Sequence, residues 1–306
     1  MWPRPSRFLR RLQPSILNPG STTMTMGMSS FTIPSDTHPS PLVECPPDLA
    51  KETLLHFPAF KAWLSTLQHS LQRQQLASHE FHADPYVLRK IQVQSVDYFT
   101  GGRLGFVKLR ADVSNGSGES LPGSVFLRGG SVGMLLILQP DDVPLSVEEE
   151  KCAVLTIQPR IPAGSLAFAE IPAGMLDDSG SFAGGAAKEI QEETGLTISQ
   201  EELIDMTSLV MQSAAPRSGN EEMLQDAVYP SAGGSDEFIP LFLCQKRMPR
   251  SDIEALQGRL TGLRQHGEKI TLKLVPLKDL WREAGRDGKT LAAWALYNGL
   301  KGEGKI

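Results

Sequence analysis

Cysteine is scarce in this sequence. The 306 residues include three cysteines, Cys45, Cys152 and Cys244, which are odd in number and lie far apart. A disulfide framework needs paired cysteines, and a zinc cluster needs ligands at short spacings. The cysteine pattern therefore argues against both and is typical of a protein from a reducing compartment.

Long apolar runs are also lacking. The longest lies around residues 134–138, whereas a helix that spans a bilayer needs about 20 consecutive apolar residues. We therefore expect no transmembrane segment and no membrane partner.

Acidic residues are missing from the first 35 positions, which are rich in Ser, Thr and Pro. Four arginines occur there: Arg4, Arg7, Arg10 and Arg11. Phe8, Leu9 and Leu12 share one face if this segment is helical, which is typical of an organellar transit peptide. We assign residues 1–45 to a transit-peptide-like or disordered segment and expect a mitochondrial or other organellar location. A cytoplasmic protein with an uncleaved tail is the alternative.

The rest of the chain is acidic. The whole sequence has 30 basic and 35 acidic residues, and four of the basic ones lie in the first 35 positions. The remainder therefore has an excess of nine negative charges, which is a poor surface for nucleic acid. We expect no nucleic-acid partner.

Hydrophobic periodicity predicts two folded regions. In residues 46–125, a helix over 49–75 precedes a β-hairpin formed by 87–98 and 104–113. In residues 126–302, strands alternate with helices, and a mixed sheet between helices, an α+β fold, is expected. The predicted strands are 132–138, 153–158, 165–171, 203–210, 238–244 and 270–275. The predicted helices are 182–194, 251–260 and 290–300.

Three carboxylates cluster in the segment AGMLDDSGSFAGGAAKEIQEETGL, residues 173–196. Glu189, Glu192 and Glu193 fall on one face of a helix, where like charges repel one another unless a cation lies between them. Carboxylate oxygens are the ligands that Mg²⁺ prefers. The segment therefore predicts a magnesium site, with a solvated, acid-rich helix end as the alternative. Gly195 is expected to form a left-handed helix cap.

The opposite face of this helix is expected to point inward. A narrow apolar stripe marks that face: Ala183, Ala187, Ile190 and Thr194.

This segment resembles the Nudix box, G-x5-E-x7-R-E-U-x-E-E-x-G-U, where U is aliphatic. Seven positions match at the required spacing: Gly174, Glu189, Ile190, Glu192, Glu193, Gly195 and Leu196. Two positions depart from the pattern, because Gly180 replaces a Glu and Lys188 replaces an Arg. Lys cannot reproduce the bidentate grip of a guanidinium on a carboxylate.

Outside the box, the sequence resembles the ADP-sugar diphosphatases of the Nudix family, including plant chloroplast members. Residues 126–129 (FLRG) are similar to their F-x-R-G motif and residues 156–160 (TIQPR) to their Q-x-R motif. Residues 229–237 (YPSAGGSDE) are similar to their S-P-G-G-x-x-E loop. The implied activity is hydrolysis of ADP-ribose or ADP-glucose to AMP and a sugar phosphate. Two alternatives stay open: hydrolysis of other nucleoside diphosphate derivatives or of triphosphates, and a catalytically weak binding module.

The resemblance also implies roles for individual residues. Glu189, Glu193 and the main-chain carbonyl of Ala173 would bind Mg²⁺, or Mn²⁺ as a substitute, and Glu192 would assist catalysis. Gly174 would belong to the substrate site. Homodimerisation through the N-terminal β region is a further implication.

For the diphosphate and the attacking water, the resemblance assigns two arginines and one acid. Arg128 and Arg160 would hold the diphosphate, and Glu237 would act as the general base. Asp236 is the nearest rival of Glu237, and the arginines could instead be ordinary surface residues at strand ends.

Overall fold

The structure is a computed structural model and describes residues 28–34, 40–175, 182–213, 222–262 and 269–306. Most of the segment assigned to a leader, including its arginines, lies outside these residues. Within the described residues, no helix is both long and apolar enough to cross a bilayer.

The N-terminal half is built on a six-stranded sheet. Its strands are β1 (Ser29–Thr32), β2 (Leu42–Cys45), β3 (Val87–Tyr98), β4 (Leu104–Ser114), β5 (Ser120–Leu121) and β6 (Ser124–Leu127). The predicted hairpin is confirmed as the antiparallel pair of β3 and β4. Strand β6 also pairs with β4, so the predicted domain boundary at 125/126 falls inside a strand.

Strands β1 and β2 correct the assignment of residues 1–45. They pair with each other, and β2 pairs in parallel with β3. Val43 and Cys45 are completely buried in the N-terminal core. Because burying such side chains contributes a large share of the stability of a small sheet, residues 29–45 include part of the fold and are not wholly a leader.

Two helices replace the single helix predicted for 49–75. They are α1 (Lys51–His56) and α2 (Pro58–Gln72), separated by Phe57 in an extended conformation. Proline lacks an N–H and restricts the residue before it to extended backbone, so Pro58 begins a new helix. Helix α2 packs on the sheet through Phe60, Leu64 and Leu71.

The second half contains an eight-stranded mixed sheet. Its strands are β7 (Ser131–Pro140), β8 (Cys152–Arg160), β9 (Ser165–Glu170), β10 (Ala173–Met175), β11 (Ile204–Asp205), β12 (Leu241–Met248), β13 (Leu260–Thr261) and β14 (Ile270–Pro276). The central strands β7 and β12 run parallel, and the other pairs are antiparallel.

Helices cover both faces of this sheet. They are α3 (Phe182–Thr194), α4 (Met206–Ser213), α5 (Arg250–Glu254), α6 (Leu280–Glu283) and α7 (Gly288–Gly302). Apolar residues of α3 and α5 form one core layer with the sheet, and those of α4, α6 and α7 form the other. Strand β7 is buried along its whole length between the two layers. The predicted mixed sheet between helices is therefore confirmed.

Two of the predicted elements in this half are wrong. The strand predicted for 203–210 is mostly helix α4, because the Asp205 carboxylate accepts a hydrogen bond from the Ser208 amide and caps the helix start. The helix predicted for 251–260 ends at Glu254. Gly258 adopts a left-handed φ of 75°, after which the chain turns to pair with β14.

Candidate active site

Helix α3 carries the predicted metal-binding carboxylates. It ends at Gly195, whose φ of 74° and N–H bond to the Gln191 carbonyl (3.0 Å) confirm the predicted left-handed cap. The predicted inward stripe is confirmed at Ile190 and Thr194, whereas Ala186 rather than Ala187 is fully buried. Gly180 lies outside the described residues.

The Glu189 carboxylate lies directly over Gly174. A Cβ atom at position 174 would fall 1.8 to 2.2 Å from the three carboxylate atoms of Glu189. No side chain can be accommodated at that distance, so only glycine allows the helix carboxylate to approach β10 so closely. The glycine that opens the box and the first of its helix glutamates are thus next to each other.

Glu193 is turned toward the sheet and is 6% exposed, which corrects the expectation that all three carboxylates lie opposite the inward face. Its carboxylate accepts hydrogen bonds from the Ala173 amide (2.9 Å) and from Gln158 Nε2 (3.4 Å). Burial raises its pKa to about 8, with the Ala173 amide lowering it and the nearby charge of Glu189 raising it. These hydrogen-bond donors are neutral, so the negative charge of Glu193 remains uncompensated by them.

The donor set fits a divalent cation that prefers oxygen. Glu189 and Glu193 lie one helical turn apart, beside the main chain of β10, and Glu192 is half-buried on the same helix. A cation bound there would offset the cost of a buried carboxylate. Among the described residues no three His, Cys, Asp or Glu side chains form a metal-binding group. Mg²⁺ commonly takes main-chain oxygens and water as further ligands.

Arg160 lies at the end of β8, next to these carboxylates, and is partly exposed. Its Nε donates to Glu170 Oε1 at 2.6 Å. Glu170 is almost fully buried, and its second carboxylate oxygen accepts a hydrogen bond from Lys289 Nζ. Lys289 also pairs with Asp287 at 3.0 Å. Arg160 is therefore fixed by a network of alternating charges.

Arg128 and Glu237 form an ion pair. The distance between Arg128 Nη1 and Glu237 Oε1 is 2.7 Å, and Ser131 Oγ donates to the same oxygen at 2.9 Å. Arg128 Nε is buried without a hydrogen-bond partner. A buried N–H without an acceptor is costly, so this guanidinium has unused capacity for an anion.

Asp236 has a different environment from its neighbour. Its carboxylate accepts hydrogen bonds from the main-chain amides of Arg128 (2.8 Å) and Gly129 (3.2 Å). Burial raises its pKa, while these amides lower it. Together with the bond from the Phe126 amide to the Gly234 carbonyl (2.8 Å), Asp236 anchors the loop of residues 229–237 to β6.

A large, mostly apolar cleft of about 1170 Å³ leads away from Arg128. Helix α2 forms one wall through Trp63 and Leu67, the N-terminal sheet forms a second, and the loop of residues 229–237 forms a third. The cleft is thus continuous with the face on which Arg128 lies.

Sequence reasoning assigned no role to four residues of this site, although the first lies in the Q-x-R match: Gln158, Glu170, Ser131 and Lys289. Two of them carried a readable signal. Glu170 is a charged residue in an otherwise apolar strand, and Lys289 lies in the first turn of α7, where a cation opposes the helix dipole. Such positions indicate a specific partner of opposite charge.

Comparisons with known proteins identify the family of this chain. The family model described as "NUDIX domain" matches residues 140–294, about half of the chain. The chain is 34% identical over 282 residues to "Nudix hydrolase 14, chloroplastic" of Arabidopsis thaliana, covering 90% of this chain and 82% of that protein. A solved structure described as an ADP compounds hydrolase aligns with a TM-score of 0.44 and 15% identity, over 72% of this chain and 99% of its own. The family match and the extent of the 34% identity show that the chain belongs to the Nudix hydrolase family.

Proposed function

We propose that this protein hydrolyses the diphosphate bond of ADP-sugars to AMP and a sugar phosphate, with Mg²⁺ as cofactor. The observation that carries the proposal is the buried Glu193 carboxylate of α3, which accepts hydrogen bonds from neutral groups and lies one helical turn from Glu189, with Arg160 beside it. The ADP-sugar preference is supported by the three segments that contain Arg128, Arg160 and Glu237.

Glu189, Glu193 and the Ala173 carbonyl would hold the metal, with Glu192 beside them. When bound, Mg²⁺ would neutralise the phosphate oxygens and lower the pKa of the attacking water. The chain's own contribution is to fix the oxygen donors: Gly174 lets Glu189 reach β10, and the Ala173 amide orients Glu193.

Arg128 and Arg160 would bind the diphosphate from two sides of the site. A guanidinium matches the geometry of phosphate oxygens and keeps its charge at all relevant pH values. Holding both phosphate groups reduces the entropy lost on reaching the transition state. The apolar cleft beyond Arg128 is suited to the flat nucleoside end of such a substrate.

Glu237 is the proposed general base. Its carboxylate is paired with Arg128, and a diphosphate that binds Arg128 would compete for the guanidinium and release the carboxylate to accept a proton from water. Asp236 is less suited, because its oxygens accept bonds from two main-chain amides.

The base assignment is tested with two neighbouring variants. Glu237→Gln should lower kcat by about 10²-fold with a smaller change in KM, because general-base catalysis contributes at this level. Asp236→Asn should mainly lower thermal stability by weakening the loop anchor. If kcat instead collapses in Asp236→Asn and stays normal in Glu237→Gln, the two roles must be exchanged.

The activity itself is tested by AMP release from a substrate panel. The purified protein is incubated with ADP-glucose, ADP-ribose, NADH, diadenosine polyphosphates and 8-oxo-dGTP, each with Mg²⁺, with Mn²⁺ and with a chelator. We expect metal-dependent turnover concentrated on the ADP-sugars. Turnover concentrated on another nucleotide would support the alternative substrate class. Binding of ADP-ribose without any AMP release would support the binding module.

Two further parts of the proposal concern assembly and location. We expect a homodimer formed through the N-terminal sheet. Light scattering on the purified protein tests this, and a mass near 33.4 kDa would contradict it.

We also propose organellar targeting by the N-terminal segment, supported by its composition and by the chloroplastic relative.

The position of the first strand limits where such a leader could end. Removal of residues 1–45 would delete β1 and β2 and expose the core around Val43. A leader should therefore end before Ser29. A fusion of residues 1–28 to a fluorescent protein tests this, since diffuse fluorescence throughout the cytoplasm would contradict targeting by this segment.

A further inference from the structure

The charged network behind Arg160 reaches from the active site to the C-terminal helix. Its central residue, Glu170, is 2% exposed and accepts bonds from Arg160 on one side and from Lys289 on the other. We propose that Glu170 and Lys289 are positioning residues that set how Arg160 is presented to the substrate diphosphate. This inference rests on the proposed function.

The Glu170 carboxylate is almost fully buried. A buried carboxylate is costly unless cations and hydrogen bonds compensate it. Glu170 lies at the end of β9 and obtains two cations, one from β8 and one from the first turn of α7. A residue needed only to neutralise Arg160 would not require a second cation, whose side chain is itself only 12% exposed.

Lys289 lies in the first turn of α7, at a position that is unfavourable for a cation. A lysine in the first turn of a helix is unfavourable because the N-terminal end of the helix dipole is positive. Asp287 offsets this cost, since it pairs with Lys289 and also caps α7 by accepting a bond from the Thr290 amide at 3.1 Å. The fold thus holds Lys289 in an otherwise unfavourable place, where its ammonium group contacts Glu170.

The negative charge of Glu170 is divided between Arg160 and Lys289. Lys289 shares the negative charge of Glu170, so that this carboxylate does not fully neutralise Arg160. Arg160 is held through Nε, and a guanidinium has further N–H donors that remain for a phosphate. Its partly exposed side chain then presents a fixed orientation together with a usable positive charge.

The same network ties this part of the site to the fold. Ile171, the residue after Glu170, donates its amide to Thr290 Oγ1 at 3.0 Å. This hydrogen bond joins the end of strand β9 to the start of helix α7, next to the Glu170 carboxylate that binds Arg160. A change at the start of α7 is transmitted to Arg160 through Glu170 rather than through solvent.

The test compares KM and kcat for the preferred ADP-sugar in Lys289→Met, Glu170→Gln and the double variant. Each single change should raise KM by about tenfold, the scale of coupling between contacting residues, with a smaller effect on kcat. Because Lys289 acts through Glu170, adding Lys289→Met to Glu170→Gln should raise KM no further. The double variant removes one charge of each sign, which favours its folding. Additive increases in KM would overturn the inference, because they would mean that Lys289 contacts the substrate independently.

Two control variants separate positioning from general stability. Lys289→Arg keeps the cation and should restore most of the wild-type KM. Lys301→Met removes an exposed ion pair with Glu148 at the other end of α7 and should leave KM unchanged. An unchanged KM in Lys289→Met, or a loss of activity that parallels the loss of thermal stability in all variants, would overturn the inference.

The wild-type protein distinguishes this result from failure of the proposed function. If it releases no AMP but binds ADP-ribose in calorimetry, the same variants are compared by their dissociation constants, with the same expected pattern. If it neither binds nor hydrolyses any ADP-sugar, the proposed function fails, and this inference fails with it.

Discussion

Glu170 and Glu193 are both almost fully buried and lie near each other, yet they have opposite environments. Glu170 accepts bonds from two cations, Arg160 and Lys289. Glu193 accepts hydrogen bonds from two neutral amides, and its pKa is raised to about 8, chiefly by burial. Glu170 is compensated by two ion pairs within the fold. Glu193 forms no ion pair with a described residue, and burial raises its pKa more than the nearby charge of Arg160 lowers it.

This difference separates two uses of a buried carboxylate. A folded chain can tolerate such a charge when its own lysines and arginines surround it, and the acid then has a positioning role. A buried acid without that compensation destabilises the fold, and such strain is typical of a functional site. The comparison therefore supports the proposed roles of Glu193 in metal binding and of Glu170 in positioning Arg160.

The largest effect is expected from replacing the two acids one at a time. Glu193→Gln should lower kcat/KM by about 10³-fold, because a bound metal supplies several kcal/mol of transition-state stabilisation. Glu170→Gln should cost about tenfold and act mainly on KM. AMP release at saturating Mg²⁺ measures both variants.

An exposed glutamate provides the control for this pair. Glu201→Gln changes an acid that lies outside α3 and is exposed to solvent, and its activity should be normal. Near-normal activity in Glu193→Gln, or equal losses in the two buried variants, would remove the distinction between the two acids.

A smaller effect is expected from Gly174→Ala, which removes no charged group. The added Cβ would collide with the Glu189 carboxylate and displace it. The Mg²⁺ concentration for half-maximal activity should rise by about tenfold or more, the range found when the support of a metal ligand is lost. Gly299→Ala, near the C-terminal end of α7, is a matched control, since a Cβ at position 299 has no atom within 4 Å. An unchanged Mg²⁺ requirement in Gly174→Ala would show that Glu189 binds no metal.

The sequence alone predicted the local parts of this site and missed the long-range ones. The spacing of Glu189, Glu193 and Gly195 on one helix was readable because helical geometry fixes it. The partners of Glu170 were not, because Lys289 lies 119 residues away in sequence and only the tertiary fold brings them together.

The secondary-structure elements that were predicted wrongly also depend on interactions that hydrophobic periodicity does not show. Residues 203–210 are mostly apolar and were predicted to form a strand, but the side chain of Asp205 caps a helix instead. Pro58 and Gly258 were visible as breakers, yet periodicity over a longer window outweighed them. Local side-chain bonds and single backbone positions therefore decided what hydrophobic patterning could not.

The smallest effect is the pH dependence of stability in the metal-free protein. Because the pKa of Glu193 rises from 4.5 to about 8 on folding, the folded state binds more protons than the unfolded state between these values, and stability must fall as the pH rises through this window. In a chelator, the melting temperature of Glu193→Gln should exceed that of the wild type at pH 8 by several degrees, and the two should converge near pH 4.5. Added Mg²⁺ should stabilise the wild type and not the variant. Parallel melting curves at all pH values, with the same response to Mg²⁺, would mean that the buried charge of Glu193 is already compensated, and the two acids would no longer differ.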